Sequence, residues 1–225
     1  MNLIPIPFFL LFMIGDMIGR KKNNLKMVRI CQPMTTFMAL LSAGLSFFGN
    51  THSTYTIWIM LGLGISTFAD SILVNRDDKE AFIKGMALFL VAILIYGITW
   101  TRLSGFQTQD TIISIIMLII YIVITIIFVN GRGGIDGKPS TKVTIGVLVY
   151  LLAFCFVISR AISTFYGDYF TTTQSVLFTI GIISFFSGDC QLGIYHFTDK
   201  HFPMAQAPPF YFIGQLLIAL SCSYF

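Results

Sequence analysis

Apolar positions in this chain gather into eight long runs, near residues 3–19, 28–50, 54–75, 80–101, 111–130, 142–163, 172–196 and 206–224. A membrane-spanning helix needs about 20 mostly apolar residues, with a working range of about 17–25, and every run falls within it. The runs are apolar on all faces. The strands of a membrane barrel alternate in polarity over about ten residues, which excludes that architecture. Turn residues separate the runs: Gly49-Asn50, Ser104-Gly105, Gly131 to Gly134 and Gly137-Lys138-Pro139, while Pro208-Pro209 opens the last one. The first run has no basic residue before it and no small-x-small cleavage site, and Arg20-Lys21-Lys22 follows it. It therefore reads as a retained helix and not as a signal peptide. The pattern predicts an all-α fold: one polytopic transmembrane bundle of about eight helices over residues 1–225, a single domain.

Composition agrees with this reading. Of 225 residues, 56% are hydrophobic and 11% charged, and the mean hydropathy is +0.82. A soluble domain carries about 25% charged residues to wet its surface, so much of this surface must face lipid. The four cysteines, Cys31, Cys155, Cys190 and Cys222, lie inside apolar runs without paired spacing and read as small packing residues. No metal, no cofactor and no nucleic acid is expected as a partner.

Lys and Arg counted by connection set the expected orientation. With eight spans, 12 of the 14 basic residues fall on one side, and only Arg102 and Arg160 fall on the other. Both termini are then non-cytoplasmic, in a bacterial cytoplasmic membrane or in a eukaryotic endoplasmic reticulum. The basic stretch from Arg20 to Arg29 reads as a topology signal that also attracts anionic lipid.

Seven of the ten acidic residues fall in connections, Asp110 among them, and three do not: Asp16, Asp70 and Asp189. A carboxylate at bilayer depth costs about 2.5–3.5 kcal/mol, so its presence points to function. Asp16 is close enough to a helix end to reach interfacial water. Asp70 and Asp189 lie further in, both toward the cytoplasmic side, and are expected to meet at one depth. Gln32, Thr35 and Thr36 enter from the second run, and Tyr211 and Gln215, four apart, share one face of the eighth. His196 lies on the Asp189 face of the seventh. These residues outline a polar pocket, with Gln32, Tyr211, Gln215 and His196 as binding residues beside the two aspartates.

A faint repeat links the halves. Gly62 stands eight residues before Asp70 and Leu73 three after it; Gly181 and Leu192 flank Asp189 in the same way. A 4+4 duplication would superpose the third and seventh helices. At glycines 62, 64, 85 and 181 helix backbones can approach or leave room, and an apolar slot for a lipid chain could form there.

At these residues the chain resembles the YhhN-like family, which includes the lysoplasmalogenases. The similar segments are Gly62 to Leu73, and Phe82 to Tyr96 in the form F-x-x-G-x-x-x-F-x-x-A-x-x-x-Y. The C-terminal stretches Phe185 to Leu192 and Tyr211 to Ser221 carry it further. The resemblance implies an eight-helix membrane enzyme that hydrolyses the vinyl-ether bond of a single-chain ether phospholipid, a lysoplasmalogen. Asp70 and Asp189 would then be the catalytic carboxyls. Two positions depart from the family: Ile93 stands where members often place His, and Gln32 where they often place Lys.

Two other classes fit the same residues. A proton- or cation-coupled transporter would use the Asp pair for coupling and needs polar residues continuing to the far side, where few beyond Tyr96 and Arg160 are expected. A non-catalytic lipid-binding protein would not need the two aspartates to converge.

Overall fold

With no water to satisfy backbone groups in a bilayer, uniformly apolar runs adopt the conformation that bonds every N–H and C=O internally, the helix. A computed structural model describes residues 4–49, 54–74, 78–130, 141–197 and 207–224. Eight α-helices are present among them: α1 Pro5–Lys21, α2 Leu25–Gly49, α3 Thr54–Ile72, α4 Lys79–Ser104, α5 Gln109–Asn130, α6 Thr141–Ser163, α7 Thr172–Phe197 and α8 Ala207–Ser221. Short 3₁₀ turns follow α6 and α8. Among the described residues, six helices, α2 to α7, are long and apolar enough to cross a membrane. The protein is a multi-pass membrane protein. At 17 and 15 residues, α1 and α8 fall short of the other six.

Local chemistry accounts for several boundaries. Pro5 occupies the start of α1, where a missing N–H costs nothing. The Asp78 carboxylate caps α4 by accepting from the Glu80 and Ala81 amides at 3.0 and 3.1 Å. The turn between α1 and α2 is very short. Asn23 adopts φ 52° there, a left-handed conformation that Asn tolerates, and the Asn24 side chain accepts from the Met27 amide.

In each half, consecutive helices pack as neighbours, and α2 against α8 mirrors α6 against α4. That adjacency is the one a 4+4 duplication would produce. The buried centre is aromatic: Trp100 stacks on Phe178 at 4.9 Å, and Tyr55, Tyr96, Phe154, Phe185 and Phe212 fill the space around them. In contrast, α5 packs mainly beside α6 among the described residues and turns a broad Ile-rich surface outward.

The glycines close space instead of opening it. A Cβ on Gly62 would lie 2.2 Å from the Tyr96 ring, and one on Gly181 would lie 3.0 Å from the Gly214 carbonyl. Gly85 faces Leu73 at 3.2 Å, and only Gly64 has open space beside it. Of the two expectations for these positions, close approach is the one found at Gly62, Gly85 and Gly181, where the glycines let α3 approach α4 and let α7 approach α8, and no slot opens there.

Candidate functional site

Asp70 sits near the end of α3 and is 1% exposed. Three donors converge on its carboxyl. The Gln32 amide donates to Oδ1 at 2.9 Å, while Thr36 and Tyr211 donate to Oδ2 at 2.5 and 2.7 Å. Two donors come from adjacent turns of α2 and the third from the start of α8. A hydrogen bond to a charged group is worth about 1.5–3 kcal/mol. Three of them reduce the cost, about 2.5–3.5 kcal/mol, of placing a carboxyl group at membrane depth.

Asp189 of α7 is half-buried, and the Tyr150 hydroxyl of α6 donates to its Oδ2 at 2.5 Å. A string of rings joins the two tyrosines: Tyr211 meets Phe185 at 5.0 Å, Phe185 meets Phe154 at 5.3 Å, and Phe154 meets Tyr150 at 5.2 Å. Each aspartate thus has a tyrosine donor, and packed aromatic rings fix the distance between the two pairs.

Both carboxyls line one cavity of about 270 Å³, including its mouth, together with Gln32, Leu73, Phe89, Gly188, Leu192 and Tyr211. Five helices contribute: α2, α3, α4, α7 and α8. The structure therefore brings together Asp70, Asp189, Gln32 and Tyr211. Gln215 does not line this cavity; it lies a turn deeper, accepting from the Tyr96 hydroxyl at 3.2 Å and donating to Ser66 at 3.2 Å. The side chain of His196, in the last turn of α7, lies outside the described residues. Ile93, one turn below Phe89, is fully buried in the apolar core. No three His, Cys, Asp or Glu side chains among the described residues are grouped so as to hold a metal ion.

Three expectations need correction. Asp16 does not reach interfacial water: it is fully buried and ion-paired with Arg20 at 3.0 Å. Arg20 is thus more than a topology signal, and the Asp16–Arg20 spacing of four was the sequence sign of the pair. Asp110 is not a solvated connection residue: it is buried in the first turn of α5 and paired with Arg160 at 2.6 Å. Polar residues also continue into the far half of the bundle, where Tyr55 bonds Ser221 at 2.6 Å and the Gln174 amide donates to the Ser221 carbonyl at 3.4 Å. Tyr150 gave no sign in the sequence, because a tyrosine inside an apolar run looks like any packing aromatic.

Compared with known proteins, residues 28–222 match the model of the YhhN family. No curated protein and no solved structure matches the chain.

Proposed function

Given that the chain belongs to the YhhN family, we propose that it is a membrane hydrolase that cleaves the vinyl-ether bond of lysoplasmalogens. The observation that carries this reading is the pair of carboxyls, Asp70 and Asp189, lining one cavity with a tyrosine on each. Vinyl-ether hydrolysis needs one carboxyl as an acid and one as a carboxylate. The acid protonates the β-carbon of the vinyl ether, and the electron pair of the C=C bond forms the new C–H bond. The resulting oxocarbenium ion is stabilised by the carboxylate and trapped by water at the α-carbon. The hemiacetal then collapses to a fatty aldehyde and a free glycerol hydroxyl, and the proton lost by water restores the acid. Glycosidases divide two carboxyls in the same way around a related cation.

Asp70 accepts three hydrogen bonds, which hold its carboxyl in one orientation, and Asp189 is half-buried in the same cavity. The reaction needs one of the two protonated and the other ionised, and either can take the acid role. Most of the space of about 270 Å³ is the open mouth of the cavity, so the ether linkage would approach the two carboxyls from that open side. The alkyl chain extends along the lipid-facing helices.

The test is aldehyde release from a lysoplasmalogen by the purified protein in detergent. Asp189→Asn is expected to lower the rate by about 100- to 10,000-fold, the range for loss of an acid–base group. Asp70→Asn is expected to abolish most of the rate as well. A wild-type protein that releases no aldehyde, or variants that keep the full rate, would overturn the reading.

A proton- or cation-coupled transporter is the second reading, favoured by the polar residues Gln215, Tyr96, Tyr55, Ser221 and Gln174 deeper in the bundle. These side chains bond one another and pack against Trp100 and Phe178, an arrangement that suits a closed interior. Proton flux into liposomes holding the protein, abolished by Asp70→Asn, would favour transport.

A further inference from the structure

Arg20, at the end of α1, lies outside the family-matched segment and does not touch Asp70 through any bond described above. Its guanidinium donates from Nε to Asp16 Oδ2 at 3.0 Å and from Nη2 to Gln32 Oε1 at 2.5 Å. Gln32 in turn donates from Nε2 to Asp70 Oδ1 at 2.9 Å. A guanidinium has donors and no acceptor, so the end of the Gln32 amide that meets Arg20 must be its oxygen. The N–H₂ end is then forced toward Asp70. A free glutamine could present either end to that carboxyl; this one has no choice.

From this chain of bonds we infer that Arg20 is a positioning residue for the site: through Gln32 it holds Asp70 Oδ1 as an acceptor, leaving Oδ2 to Tyr211 and Thr36. The inference rests on the reading of Asp70 as one of the two working carboxyls, and it extends the site to α1. The groups that face this carboxyl are Asp16 and Arg20 from α1, Gln32 and Thr36 from α2, Asp189 from α7 and Tyr211 from α8. Arg20 contributes the one cation among them.

The close approach of α1 that this chain requires is built into the sequence. A Cβ on Gly15 would lie 2.7 Å from Cys31 Sγ, and one on Gly19 would lie 3.0 Å from Val28 Cγ2. Two glycines four apart thus seat α1 on α2, one turn from where Arg20 meets Gln32. Asp16, between them, holds the guanidinium through Nε while Nη2 reaches Gln32.

The test uses the full-length protein in detergent or nanodiscs, with two readouts. The first is the infrared carboxyl bands of the protein, with the Asp70 contribution identified by its loss in Asp70→Asn. Arg20→Met and Gln32→Met are each expected to shift that contribution, whereas Arg20→Lys, which retains a donor, shifts it less. The second is turnover of lysoplasmalogen. Arg20→Met should lower kcat by about 10- to 100-fold, the range for losing one hydrogen bond to a charged group. The double variant Arg20→Met/Gln32→Met should be no slower than Gln32→Met alone, because both changes act through one amide. An Asp70 band unmoved in Gln32→Met and in Arg20→Met, or rate losses that multiply in the double variant, would overturn the inference. If the wild-type protein shows no turnover, the hydrolase reading fails, and the infrared comparison still decides whether Arg20 governs Asp70. If Arg20→Met does not fold, Arg20→Lys, which keeps a cation beside Asp16, carries the decision by a smaller shift of the same band, and a band unmoved in that variant would overturn the inference.

Discussion

The Tyr96 hydroxyl on α4 donates to the Gln215 side chain on α8 at 3.2 Å, and the two residues are 119 positions apart. The same separation relates Asp70 to Asp189 and Gly62 to Gly181. Two residues that correspond under the repeat therefore meet at the centre of the bundle. The relationship extends to the aspartates, since each is bonded from the preceding helix of its half: Asp70 from α2 and Asp189 from α6. The partners differ, however, a glutamine and a threonine in one half and a tyrosine in the other. The two aspartates thus occupy matching places in the helix order with different partners.

Removing the Tyr96 hydroxyl leaves the Gln215 oxygen buried without that donor. Tyr96→Phe is expected to destabilise the protein by about 1–3 kcal/mol, the cost of an unsatisfied buried acceptor. The aspartate cavity lies a turn away and should keep its shape. Thermal melting in detergent beside aldehyde release checks this: the midpoint should fall while KM stays near wild type.

Tyr150→Phe is expected to behave in the opposite way. Asp189 is half-exposed, so water can replace the lost donor, and stability should change by less than about 1 kcal/mol. The rate should fall, because the carboxyl is no longer held in one orientation toward the cavity. A variant with normal kcat and a lowered melting point would show that Tyr150 serves packing alone.

Gly181 and Gly64 make a paired test of the helix contacts. Gly181→Ala pushes a methyl into the α8 backbone near Gly214 and is expected to cost about 1–3 kcal/mol through overpacking. Gly64→Ala meets nothing within 4 Å and should be neutral or slightly stabilising, since alanine favours the helix by up to about 1 kcal/mol. Equal melting points for the two variants would contradict the tight α7–α8 contact.

At the opposite end of the bundle, Arg160 clamps the turn between α4 and α5. It pairs with Asp110 at 2.6 Å, donates to the Gly105 carbonyl at 2.5 Å, and lies 4.8 Å from the Phe106 ring centre. Arg160→Met strands a buried carboxylate and is expected to cost about 3–5 kcal/mol. Adding Asp110→Asn should recover part of that loss. Chemical or thermal unfolding of the single and double variants measures the recovery.

Orientation is open to a direct measurement. The bias of basic residues places the turn near Thr108 outside and the turn near Lys22 inside. In a background without the four native cysteines, Thr108→Cys should react with a membrane-impermeant thiol reagent in intact cells. Lys22→Cys should react only after permeabilisation. The reverse pattern would invert the topology.

Length and polarity were enough to read the helices from the sequence. The run near 54–75 became α3 at Thr54–Ile72, and the run near 172–196 became α7 at Thr172–Phe197. In a membrane the backbone must bond itself locally, so an apolar run of sufficient length determines its own conformation. The same rule singled out Asp70 and Asp189, because a buried carboxylate is expensive wherever its helix goes. Which groups offset that expense was a tertiary decision. Tyr150 and Thr36 became donors only when α6 packed beside α7, and α2 beside α3. Whether Gly181 would be a contact or a gap was decided only when α8 approached it. Arg20 looked like one more basic residue until α1 settled on α2 and aimed it at Gln32. Hydrogen bonds between helices depend on rotation and approach to within an ångström, and apolar runs without a strong polar face leave rotation unspecified. Packing specified it, and with it the site.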